Sequence, residues 1–156
     1  MKFLVMTMLL GLALPVQADE QYTMVGYVRG AEIFQSPEPK PSSPVFVSGV
    51  TTDEEVFLGG KLEIELQLMK HWQGVATGLH WDLGNDWFVI AGSGVGHLNA
   101  DLDFQDDGFN FILQGGVGRK IGDWRMDLRI HHISNARLRE PNTGTNGVLL
   151  LFGRTW

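Results

Sequence analysis

From residue 58 to residue 68 the apolar side chains keep one parity, Leu58, Leu62, Ile64, Leu66 and Leu68, while Lys61, Glu63, Glu65 and Gln67 keep the other. Side chains on successive residues of an extended chain point to opposite faces, so this alternation describes a β-strand with one greasy and one charged face. The same pattern returns along the chain. Val75, Leu79 and Trp81 oppose His80 and Asp82; Phe109, Phe111 and Leu113 oppose Asn110 and Gln114; Trp124, Met126, Leu128 and Ile130 oppose Arg125, Asp127, Arg129 and His131. No comparable stretch has helical spacing. The pattern predicts an all-β fold of eight strands, near 22–34, 44–51, 54–68, 70–82, 86–99, 108–119, 123–136 and 145–156.

The connections predict how those strands are arranged. Gly84-Asn85 and Ile121-Gly122-Asp123 are tight turns, whereas 35–43, 100–107 and 137–144 are longer loops. Short turns on one side and longer loops on the other fit an antiparallel transmembrane barrel with its short side periplasmic. A soluble barrel also alternates, but it points its apolar face inward around a ligand. Here the minority face carries Lys61, Glu63, Glu65, Arg125, Asp127, Arg129 and His131, a lumen of paired charges. At the lipid mid-plane each such side chain would cost ~2–4 kcal/mol. The chain also ends on Trp156, with Val148, Leu150 and Phe152 on its parity and Arg154 breaking the series. The reading is therefore an eight-stranded antiparallel transmembrane β-barrel, with a soluble apolar-ligand carrier as the alternative. Eight strands enclose only enough room for their own side chains, which argues against a pore. Gly92, Gly94 and Gly96 share one parity of the fifth strand and make room for opposing lumen side chains.

At the N-terminus, Met1-Lys2, the apolar run from Phe3 to Val16 and the small-residue site Val16-Gln17-Ala18 read as an export signal. Residues 1–18 are then the signal peptide and 19–156 a single barrel domain. The chain has no cysteine, so disulfides and thiolate metal sites are excluded. Its net charge of −6 argues against nucleic acid as a partner.

One run changes the picture from architecture to chemistry. In Leu128-Arg129-Ile130-His131-His132-Ile133-Ser134-Asn135-Ala136 the outward parity passes from Leu128 and Ile130 to His132 and Ser134. Two residues along a strand separate the backbones by about 6–7 Å, and both side chains leave the same face. A serine hydroxyl becomes a nucleophile when a base takes its proton, and a neutral imidazole is suited to that role. His131 falls on the lumen parity, where a structural hydrogen bond is expected; a bulge near Ser134 would exchange the faces of the two histidines.

His132-Ile133-Ser134-Asn135-Ala136, followed by Pro141-Asn142-Thr143-Gly144 and a final strand, resembles the outer-membrane lipid A 3-O-deacylases of the PagL type. The resemblance is close over the last quarter, and the export signal, size and barrel pattern agree elsewhere. It implies His132 as base, Ser134 as nucleophile, and Asn135 and Asn142 at the oxyanion site. It also implies a glutamate twelve positions after the serine to complete the triad, and that position holds Asn146. An amide can hold an imidazole in one tautomer but lacks the charge that stabilises imidazolium. Glu140, in the preceding loop, is an alternative third member or a solvated loop charge.

Two loop features remain. Asp101, Asp103, Asp106 and Asp107 lack the spacing of an EF-hand and read as a hydrated acidic loop, so no metal site is assigned. Arg137 and Arg139 suit either phosphate or loop solubility. The expectation is an outer-membrane esterase that removes the 3-O-linked acyl chain of lipid A and needs no cofactor. Its partners would be lipopolysaccharide and outer-membrane lipids, its site would face the outer leaflet, and a homodimer is compatible with it. The alternative is a non-catalytic outer-membrane barrel with a degenerate triad.

Overall fold

Eight strands close into one antiparallel barrel in the order β1 to β8 in the computed structural model, which describes residues 18–30, 42–99, 108–140 and 144–156. They are β1 (Ala18–Gly30), β2 (Ser43–Phe57), β3 (Gly60–Met69), β4 (Trp72–Gly84), β5 (Trp87–Leu98), β6 (Gly108–Ile121), β7 (Trp124–Ser134) and β8 (Thr145–Thr155). Closure comes from β1 against β8, with Tyr22 opposite Thr155 and Gly30 opposite Gly147. A closed barrel leaves no unpaired strand edge. Residues 1–17 of the expected signal segment 1–18, and the acidic loop of Asp101, Asp103, Asp106 and Asp107, lie outside the described residues.

Burial follows the sequence parity strand by strand. On β7, Arg125, Asp127, Arg129 and His131 are buried, while Trp124, Met126, Leu128 and Ile130 are exposed. The exterior is therefore apolar, and it surrounds an interior that includes the charges of β7. Water would not tolerate such an exterior in a monomer, and a bilayer is the solvent in which a closed barrel of this kind is stable.

Two apolar clusters, Met24, Val45, Val47, Leu149 and Leu151 with Tyr22, and Trp72, Ala76, Ile112 and Ile133, fill part of the interior, and a polar network fills the rest. Arg125 meets Glu63 at 3.0 Å and Asp127 at 3.0 Å, and Arg129 meets Glu65 at 2.7 Å and Asp127 at 2.6 Å. Glu65 also accepts from the Tyr22 hydroxyl at 2.7 Å, Gln67 at 2.8 Å and Gln114 at 2.9 Å. The Arg125 guanidinium lies 4.1 Å from the centre of the Tyr22 ring and 4.6 Å from that of Phe88, and His80 stacks on Phe88 at 4.3 Å. Charges removed from water are tolerable only when paired and hydrogen-bonded, and this network does both. The glycines Gly92, Gly94 and Gly96 do face inward, and the Trp72 indole lies over Gly74 and Gly96.

One boundary differs from the alternation. The sequence places a break near residues 52–53 and puts Leu58 on the apolar face of a strand. In the structure β2 runs through Asp53-Glu54-Glu55 to Phe57, and the turn is Leu58-Gly59. Register shifts between Thr51 and Glu55 and between Glu55 and Phe57 break the period of two there. Both turn residues take positive φ, 50° and 72°, as a two-residue hairpin turn requires. The Trp81 indole N–H donates to the Leu58 carbonyl at 3.1 Å and secures it.

The tight turns 58–59, 85–86 and 122–123 all lie at one end, together with the start of β1 and the end of β8. The exposed Trp87, Trp124 and Trp156 gather at the same end, with Trp124 stacked on Phe152 at 4.9 Å. Amphipathic aromatic rings favour the membrane–water boundary, so this end marks one interface. Gly30, Ser43, Leu98, Gly108, Ser134 and Thr145, the strand ends that the longer links join, lie at the other end, beside a two-residue link, Lys70-His71.

Candidate active site

β7 carries the sequence motif to the long-loop end. Its pairing with β6 is unbroken from Ile121 opposite Trp124 to Phe111 opposite Ser134, so no bulge exchanges the histidines. His131 is buried in the interior, beside Gly147 of β8. His132 and Ser134 take the outward parity and are half-buried.

Pairing of β7 with β8 sets His132 directly opposite Asn146. The His132 Nδ1 donates to Asn146 Oδ1 at 2.8 Å. A carbonyl oxygen can only accept, so the proton sits on Nδ1 and Nε2 keeps its lone pair. Asn146 thus selects the tautomer in which the far nitrogen can take a proton. It is also 4 % exposed, although its parity is outward, so the acceptor is buried while the imidazole that donates to it is half-buried. Gly144, at φ 70°, packs against the ring edge that bears Cε1 and Nε2, where any side chain would meet the imidazole. Among the described residues no carboxylate contacts His132, and none of its hydrogen bonds reaches Ser134.

Of the two expected oxyanion residues, Asn135 lies within the described residues. Asn135 follows the last residue of β7 on the inward parity and is fully buried. Its Nδ2 donates to the Arg139 carbonyl at 2.9 Å, and its own carbonyl accepts from Leu138 N at 3.0 Å. Asn135 therefore ties the 135–140 turn to the strand end, a turn in which Ala136 and Arg137 have φ of 54° and 62°. Asn142 lies outside the described residues. Glu140 and Arg137 are exposed, and Arg139 is exposed with Nη2 donating to the Phe109 carbonyl at 3.4 Å.

A cleft of about 410 Å³ opens beside His132 and Asn146 and runs between Leu113, Gly115 and Ile130. Its wall is mainly apolar, and it lies on the exterior of the barrel. Alternation within one strand did not reveal it, because it arises from Gly115 of β6 standing opposite Ile130 of β7. Among the described residues no group of three or more His, Asp or Glu side chains is arranged to hold a metal.

The arrangement is an imidazole in a defined tautomer, a hydroxyl on the same face, and an apolar cleft, all on the outside of a barrel. Two solved structures share the fold. One, described as the outer membrane enzyme PagL, is 19% identical, covers 86% of this chain and 98% of its own, and gives a TM-score of 0.54. The other, the outer membrane protein Ail of Yersinia pestis in a phospholipid bilayer nanodisc, is 11% identical, covers 88% and 99%, and gives 0.55. No curated protein matches the chain in sequence. Residues 50–155, more than half of the chain, match the family model described as lipid A 3-O-deacylase (PagL), and the chain belongs to that family.

Proposed function

We propose that this protein is an outer-membrane esterase that removes the 3-O-linked acyl chain of lipid A, with Ser134 as nucleophile and His132 as base. The observation that carries the reading is the 2.8 Å hydrogen bond from His132 to Asn146 on the outward face, at the head of an apolar cleft. In this reading Nε2 of His132 takes the proton of Ser134 as the hydroxyl attacks the ester carbonyl. The imidazolium then returns that proton to the departing sugar alkoxide, and water releases the acyl chain from Ser134 with His132 again as base. Catalytic hydrogen bonds are often long in the free enzyme and tighten around substrate, which accommodates the missing bond between Ser134 and His132. Asn135 and Asn142 are the proposed oxyanion residues, and Asn135 also ties the 135–140 turn to the strand end.

Depth in the membrane supports the substrate. Ser134 lies ten residues up β7 from Trp124 of the aromatic end. At ~3.3 Å per residue and a tilt of ~40°, that is about 25 Å along the membrane normal, the full height of a barrel's apolar band. The hydroxyl would then sit at the opposite interface, where the ester groups of a lipid meet water. With the short-turn end periplasmic, that interface belongs to the outer leaflet, where lipid A resides. The exposed Arg137 and Arg139 would lie at the level of its phosphates.

Mass spectrometry of lipid A from cells expressing the protein tests this reading. Loss of one hydroxyacyl chain is expected with wild type and not with Ser134→Ala. An unchanged lipid A profile with folded wild-type barrel present would reject it. The second reading, a non-catalytic barrel, is favoured by one observation, the amide at position 146 where a triad would hold a carboxylate, and the same experiment decides between them.

A further inference from the structure

We propose that Gly115 sets the length of acyl chain this protein accepts, an inference that rests on the deacylase reading and adds a specificity residue to it. Glycines in this barrel are largely explained by crowding or by turns. At Gly74, Gly78, Gly92, Gly94, Gly96, Gly116 and Gly118 an added Cβ would run into a neighbouring strand or an inward side chain, and Gly59, Gly84 and Gly122 have positive φ. Gly115 has neither reason. Its backbone is ordinary strand, and an added Cβ would meet nothing closer than the Ile90 carbonyl at 3.6 Å, a normal contact. Its outward neighbours on β6, Leu113 and Val117, both carry branched side chains.

The absent side chain is what opens the wall beside Ile130. Gly115 pairs with Ile130 on one side and with Ala91 on the other, so β5 and β6 present only small residues beside Ile130 at this level. That level is two residues below His132 and four below Ser134 on β7. At ~3.3 Å per residue and ~40° of tilt it lies about 10 Å deeper in the hydrocarbon than the nucleophile. An acyl chain held by its ester at Ser134 would pass Leu113 and then lie over Gly115. A larger side chain there would stop the chain at that depth while leaving the carbonyl end untouched.

The test is a series of 3-O-acyl glucosamine phosphate esters, from about four to about sixteen carbons, hydrolysed by purified wild type, Gly115→Ala and Gly115→Phe in detergent micelles. Folding is checked by the electrophoretic shift of unheated barrel. Hydrophobic pockets discriminate by roughly 10- to 200-fold per misfit group, so Gly115→Phe is expected to lose at least about tenfold in kcat/KM on the long esters. On the shortest esters it should stay close to wild type, with Gly115→Ala between the two. A fall of equal size at every length, or no fall at any, overturns the proposal. A folded wild type that hydrolyses no member of the series overturns the deacylase reading itself, and the proposal with it.

Discussion

The two faces of β7 carry opposite kinds of polar chemistry. Inward, Arg125, Asp127 and Arg129 are held by multiple charged hydrogen bonds with no exposed atoms to spare. Outward, His132 has a single described hydrogen bond, to a neutral partner, and Ser134 sits at the end of the strand. The interior network has every reason to stay as it is, because moving one member strands a buried charge. The outer pair is loosely held and half-exposed, which a hydroxyl and imidazole need if they are to exchange a proton with a visiting ester. In the proposed mechanism, stability and chemistry are thus separated by the alternation of one strand.

The sharpest break of this comparison is Ser134→Ala. Removing a nucleophile from a serine–histidine pair can cost ~10⁴-fold or more in turnover. The expected outcome is loss of ester hydrolysis at that scale with an unchanged urea midpoint for unfolding from detergent. A variant retaining more than a tenth of wild-type turnover would show that Ser134 is not the nucleophile.

The converse is Arg129→Ala. It removes the partner of both Glu65 and Asp127 in a fully buried setting, and breaking a buried pair this way costs ~3–5 kcal/mol. Unfolding should move to markedly lower urea, while turnover per folded molecule stays within about twofold, because His132 and Ser134 are on the other face. A large loss of turnover in the folded fraction would mean that the two faces are coupled after all. Tyr22→Phe is the milder version. It deletes one donor to Glu65, at 2.7 Å, and is expected to cost about 1.5–3 kcal/mol, the range for hydrogen bonds to charged groups.

Much of this separation is visible in the residues themselves. Alternation reveals the lumen charges, the outward His132 and Ser134 and the inward His131, since strand parity needs only one strand at a time. It fails at β2, where Asp53-Glu54-Glu55 resemble a turn yet continue the strand, because register shifts hide the period. The cleft and the His132–Asn146 contact depend on which residue faces which across strands, and register across a barrel is not written in any one of them. Asn135 shows the opposite lesson. Its parity already pointed inward, and the structure ties its amide to Arg139 within the loop.

The smallest effect is the most informative about Asn146. If its carbonyl only selects a tautomer, removing it in Asn146→Ala forfeits roughly one hydrogen bond, about 0.5–1.5 kcal/mol, or up to about tenfold in kcat. Asn146→Asp keeps the shape and the acceptor and adds a negative charge next to Nδ1, where an imidazolium forms as Ser134 attacks. Charged hydrogen bonds are roughly twice as strong as neutral ones, so Asn146→Asp should exceed wild type, by several-fold to about tenfold. Its burial opposes the gain, since a carboxylate is costly to desolvate wherever the imidazole is still neutral. Measuring kcat for the three proteins on one ester therefore ranks Asp above Asn above Ala if the residue acts through the histidine. Equal losses in Ala and Asp would make Asn146 a packing residue, and the outer face would then lack a third member of its catalytic set.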